Sequence, residues 1–175
     1  MSLPKANTPL LKPALFVHLE AEDGLPIYSE STGSMSCVRV KSGYITGVGK
    51  NHPFEAKINF GFDDIRLSPG SSTGILDCHL YGTTAKGKGL FIHYTGVVHM
   101  VGTVAEILQN KKSYMDFDDG YVTCSPDDFK IDSGAEEEWV KDQKLSGKGR
   151  FLRNSEGGLV VQYYLYEVEG LKSSL

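Results

Sequence analysis

The chain has 175 residues, 40% of them hydrophobic and 23% charged, with a formal net charge of -4. That length is most simply one domain with one core. An acidic balance with its lysines and arginines scattered among acids gives no field for phosphate backbones, which excludes nucleic acid as a partner. Gly 20 and 10% aromatic residues lean towards strands and tight turns.

Residues 1–13 contain Pro4, Pro9 and Pro13 and only short apolar patches, so they read as an irregular lead-in to a domain over 14–175, neither a signal peptide nor a membrane span. Ala14 to Ala21 alternates as a first strand. Tyr28 to Ser36 is polar and carries a glycine, which predicts a loop, and Cys37 to Val48 predicts a strand bent at Gly43. In the next run, Phe54, Ala56, Ile58 and Phe60 fall on one side of a strand, and GFDDIRLSPGSS ends in a Pro-Gly turn.

Gly74 to Val98 predicts two strands joined by a Lys/Gly turn. Its first strand sets Ile75, Asp77, His79 and Tyr81 on one face and Leu76, Cys78 and Leu80 on the other; His93 and Tyr94 lie in the second. Met100 to Lys111 carries Val101, Val104, Ile107 and Leu108 on a helical stripe. Tyr114 to Val122 predicts an edge hairpin. Ala135 to Lys144 predicts a helical turn with a Glu137/Lys141 pair, and Leu145 to Leu152 and Leu159 to Val168 predict two closing strands around RNSEGG. About eight to ten strands with short connections and one short helix make an all-β, antiparallel, closed barrel of lipocalin or calycin type.

Cys37, Cys78 and Cys124 show no C-x-x-C spacing, and no N-x-[ST] acceptor occurs, so a reducing, cytoplasmic setting without a disulfide framework is expected. GTTAKGKG nearly spells a phosphate-binding loop, but Gly89 stands where a Ser or Thr must hold magnesium and a strand follows, so it reads as a hairpin turn. DFDDGYVTCSPD departs from a calcium loop at Tyr121 and Asp127. His79 and His93 come close across the hairpin, yet the sequence offers no defined third ligand, and no metal is expected.

Acid–base chemistry remains, by Asp77, His79, His93 and Tyr94, with Asp64 nearby. Inside an apolar barrel, desolvation would bring a carboxyl and an imidazole towards neutrality, where proton transfer works best. Alternation alone leaves open whether the mixed face meets water or lines a pocket.

VKSGYITG (40–47), GFDDI (61–65), ILDCHL (75–80), FIHYTGV (91–97), the lone Trp139, SGKG (146–149) and YYLYEV (163–168) together resemble the domain-of-unknown-function 3237 family, also called UPF0311, of small β-barrels. His79 and His93 replace arginines usual in that family, Tyr94 an asparagine, Phe62 a glycine and Ile65 a tryptophan. The chain is similar to a fungal branch of cofactor-independent cyclases of polyketide and phenalenone pathways, which add a phenolic hydroxyl across a prenyl alkene to form a cyclic ether. The resemblance implies an inward-facing site with Asp77, His79, His93, Tyr94 and Asp64 as catalytic groups. It also implies Tyr44, Arg66, Tyr81, Phe91, Trp139 and Tyr163 as contacts to a small aromatic substrate. No cofactor, nucleic acid or membrane is implied, and a homo-oligomer stays open. The alternative is a lipocalin-like carrier that binds an apolar aromatic ligand without chemistry.

Overall fold

Residues 9–50 and 52–169 are described by the structure, a computed structural model, with Glu169 described in its backbone alone. Residues 1–8 of the expected lead-in and the last six of the expected domain lie outside that range. Alternating sequences become nine strands: β1 (Leu10–Ala21), β2 (Leu25–Glu30), β3 (Gly33–Gly47), β4 (Glu55–Leu67), β5 (Thr73–Thr84), β6 (Gly89–His99), β7 (Val122–Ile131), β8 (Leu145–Arg153) and β9 (Leu159–Glu169). They pair antiparallel in the order β1-β9-β8-β7-β6-β5-β4-β3-β2, and β1 also pairs with β3. That last pairing closes eight strands into a barrel and leaves β2 as an extra strand on β3. Closure pairs the β1 and β3 edges that an open sheet would leave exposed.

The inner face is mainly apolar. Leu15, Val17 and Leu19 of β1, Leu76, Cys78 and Leu80 of β5, Ile92 of β6 and Tyr163 and Leu165 of β9 are buried in one cluster. Two glycines allow close passage of neighbouring strands: a Cβ at Gly43 would collide with the His18 carbonyl, and one at Gly96 with the Thr123 carbonyl.

Several expectations are corrected. Residues 28–36 are not a loop but the β2–β3 hairpin, because Leu25 to Glu30 finds a ladder partner in Gly33 to Cys37. β1 starts at Leu10, within the expected lead-in, because β9 is long enough to pair with it there. A bulge between Ile58 and Phe60 turns β4 over, so Ala56 and Ile58 are buried while Phe60 is 46% exposed. Tyr114 to Val122 forms no hairpin; the chain runs irregularly until β7 begins at Val122.

The helix is shorter than its pattern, α1 (Gly102–Leu108), with Val104 and Ile107 buried and Val101 exposed. Buried Arg153 fixes its end, donating from Nε to the Ile107 carbonyl at 3.0 Å and from Nη2 to the Leu108 carbonyl at 3.0 Å, while Nη1 pairs with Asp23 at 2.6 Å. The expected helical turn is a 3-10 helix, Glu136–Asp142. There Lys141 pairs with Glu138 at 2.7 Å, not with Glu137, which is buried. Among the described residues no helix is long and apolar enough to cross a membrane.

Candidate functional site on the outer face of the barrel

Strand pairing decides which residues share a surface. Across β4, β5 and β6 the register sets Phe60, Tyr81 and Phe91 in one row, Phe62, His79 and His93 in the next, and Asp64, Asp77 and Thr95 in a third. Since Leu76, Cys78, Leu80 and Ile92 fill the barrel, all three rows face outward. The expected inward-facing site is therefore corrected: Asp77, His79 and His93 stand on the outer surface, partly exposed, with Asp64, Arg66, Tyr81 and Phe91 beside them.

The polar centre is a chain of short contacts. Asp77 Oδ1 lies 2.8 Å from His93 Nε2, and Arg66 donates to Asp77 Oδ2 at 3.0 Å. On the far side of the ring, His93 Nδ1 lies 2.6 Å from Asp127 Oδ1. Asp127 reaches it because β7 is bulged there, with His93 opposite Asp128 and Tyr94 opposite Pro126, so that Asp127 has no ladder partner. His79 stacks loosely on His93, with ring centroids 4.7 Å apart.

The hydrogen bond to His93, aided by Arg66, outweighs partial burial and holds the Asp77 carboxyl below its ordinary value. Partial burial pulls His93 down, but its contacts with Asp77 and Asp127 outweigh this and raise its pKa. Each partner thus favours the other's charged form.

An aromatic shelf borders this centre. Phe60 stacks on Tyr81 at 4.8 Å between centroids, Tyr81 meets Phe91 at 5.4 Å, and Phe91 meets His79 at 6.0 Å. The shelf runs into a groove of about 450 Å³ bounded by Phe60, Tyr81, Phe91, Lys130 and Asp132. That volume lies within the range of small-molecule sites, roughly 300 to 1,000 Å³.

The remaining expected residues lie elsewhere. Tyr94 and Tyr163 are inside the barrel, buried and edge-on at 5.8 Å, and burial raises both phenols well above their ordinary values. Tyr44 is on the outer surface of β3, stacked on His18 at 5.0 Å and close to the β1 seam. Trp139 belongs to the 3-10 helix, donates to the Pro53 carbonyl at 2.9 Å and packs on His52 and Phe54.

Inside the barrel the cavity lined by Tyr94, Cys124, Phe129 and Tyr163 measures about 10 Å³. That is room for roughly one water. A lipocalin-like lumen for an aromatic ligand is absent among the described residues, because large side chains from the barrel strands fill the interior.

Two carboxylates escaped the sequence reading. Asp63 points inward, is buried, and accepts the Asp77 amide at 3.2 Å. Burial raises its pKa to about 7 against the opposing hydrogen bonds from the Asp77 amide and Tyr94. Asp127 had a readable signal, Pro126 followed by two acids in a strand, a pattern that breaks alternation. Asp63 had none apart from its neighbour Asp64, since alternation through the Ile58–Phe60 bulge points the wrong way. For a cation, the residues that could offer ligands together, among the described residues, are Asp77, His79 and His93.

A closed, filled antiparallel barrel with ionisable and aromatic groups gathered on one outer wall defines the class: a small β-barrel protein. The chain belongs to the family described as proteins of unknown function, DUF3237, whose model matches residues 9–168. Its fold is similar to a protein of unknown function from Rhodopseudomonas palustris, at 17% identity over 94% of this chain and 100% of that one, with TM-score 0.73. A β-barrel-like protein from Acinetobacter baumannii is similar at 17% identity, covering 94% and 99%, with TM-score 0.66. An enzyme from Penicillium herquei is a more distant likeness, at 15% identity, covering 95% and 100%, with TM-score 0.56. No curated protein matches the chain.

Proposed function

We propose that the protein is a small-molecule enzyme that closes a ring on an aromatic substrate, by intramolecular addition of a phenolic hydroxyl across an alkene, at the outer wall formed by β4, β5 and β6. The observation that carries this reading is the Phe60, Tyr81 and Phe91 shelf, which lines the 450 Å³ groove and meets the Asp77, His79 and His93 cluster through the contact of Phe91 with His79. An aromatic ring stacked on the shelf would present its hydroxyl to that cluster, one pleat further along the strands.

The bond changes balance without a redox partner. The O–H bond breaks, a C–O bond forms at one alkene carbon, and the other alkene carbon gains a proton, so the product is an isomer of the substrate. Asp77, His79 and His93 bind the hydroxyl and pass its proton; Arg66 and Asp127 hold Asp77 and His93 in place. Tyr94 and Tyr163, inside the filled barrel, take no part. The Penicillium herquei enzyme lends support at the level of fold, through the likeness already given.

The test is incubation of purified protein with a prenylated phenol, followed by chiral chromatography and mass measurement. A single enantiomer of unchanged mass is the expected product, and Asp77→Asn and His79→Ala should each remove turnover while the protein stays folded. Ligand bound but returned unchanged would replace this reading with that of a carrier using the same groove.

A further inference from the structure

Asp77, His79 and His93 each offer one ligand atom, and these atoms all lie within 4.8 Å of one another. We propose that the three side chains form a divalent metal site on the outer wall of the barrel, with zinc as the ion best suited to two imidazoles and a carboxylate. The missing third ligand in the sequence is supplied by strand pairing: His79 and His93 stand opposite each other across β5 and β6, and Asp77 follows on the same face of β5.

Three further features fit a cation. His93 Nδ1 is committed to Asp127 at 2.6 Å, which leaves Nε2 as the ligating nitrogen, the carboxylate–histidine–metal arrangement that orients a ligand and raises its basicity. Arg66 holds Asp77 Oδ2, leaving Oδ1 for the ion. Oδ1 and Nε2 are 2.8 Å apart, so they need part by only about 0.6 Å to reach the roughly 3.4 Å that separates tetrahedral ligands bound at about 2.1 Å. Without an ion, the same short contact is a hydrogen bond between the two side chains. His79, beside this pair, makes ring contacts but no hydrogen bond among the described residues, which leaves its ring nitrogens open to an ion.

Three protein ligands leave at least one coordination position open, as in catalytic zinc sites. The site adjoins the aromatic shelf, so an oxygen of a stacked ligand is the natural fourth donor. Metal binding does not depend on the ring-closing reading. It departs from the metal-free chemistry implied by the resemblance.

The experiment is titration of the chelator-stripped full chain with Co(II), followed by its visible absorption, and with Zn(II) by calorimetry. One ion per chain is expected, bound at micromolar concentration or tighter. Asp77→Ala and His79→Ala should each weaken binding at least 10-fold. Asp127→Asn should weaken it roughly 10- to 100-fold, the range seen when an outer carboxylate is removed. His99→Gln, which alters a histidine stacked on Tyr121 away from the cluster, should leave it unchanged, and thermal melts would show that each variant is folded. Absence of saturable Co(II) binding, or equal affinity in the parent, Asp77→Ala and His79→Ala chains, would overturn the site. Ring closure by both stripped and zinc-loaded protein would leave the site standing and remove the ion from the reaction. Zinc binding with no ring closure would retain the site and reject the cyclase reading.

Discussion

Asp63 and Asp77 are neighbours across β4 and β5, joined by a hydrogen bond from the Asp77 amide to the Asp63 carboxylate, yet they stand on opposite faces of the same wall. The inner carboxyl is pushed up to about 7 by burial. The outer one is held down by His93 and Arg66. Thus the polarity expected of a pocket inside the barrel belongs to its outside. Inside, a carboxyl is an energetic cost in a filled core; outside, it is anchored by partners and open to ligands.

The sharpest way to break this contrast is Tyr163→Ala, because Tyr163 is buried inside the barrel and was expected to touch substrate. Truncating so large an inner side chain should destabilise the fold by about 3 to 5 kcal/mol, read in a denaturant melt. A variant of unchanged stability that had lost substrate binding would return the site to the interior.

A smaller effect is expected from Asp63→Asn. Because the folded pKa of Asp63, about 7, lies above its unfolded value, the wild-type protein loses stability as pH rises from about 4 through 7. The asparagine variant does not ionise, so its stability relative to wild type should improve between pH 4 and pH 8 by on the order of 4 kcal/mol. Parallel stability curves for the two proteins across that range would show that Asp63 is not held neutral by burial.

The smallest change in stability should come from the outer pair. His93→Gln removes contacts between side chains that are 24% and 25% exposed, so it should cost about 0 to 1 kcal/mol. Its effect on turnover in the groove should be far larger, roughly 100-fold or more if the cluster moves protons. Unfolding without a specific loss of turnover would make the pair structural, erasing the distinction between the two faces.

Much of the fold was legible because alternation is local. It separated Leu76, Cys78 and Leu80 from Asp77 and His79 correctly, and it marked β8 and β9 almost to their ends. The β2–β3 hairpin was hidden because its residues are polar and Leu25 to Glu30 are exposed, so pairing rather than burial makes them a strand. Phe60 was placed with Ile58 because a period of two carries no warning of a bulge. The family resemblance implies an inward ionisable face, whereas the apolar face of Leu76, Cys78 and Leu80 is the one that fills the interior.

The amino-acid sequence by itself determined the regularly alternating strands, the hairpin turn at Gly82 to Gly89 and the two faces of β5, since these depend on steric preference and side-chain alternation within a few residues. Tertiary structure decided what those faces meet. Barrel closure through β1 and β3 consumed the apolar face, the β7 bulge brought Asp127 to His93, and pairing of β4, β5 and β6 set Phe60, Tyr81 and Phe91 beside Asp77 and His79. Contacts between strands far apart in the chain depend on register and closure, which local periodicity does not encode.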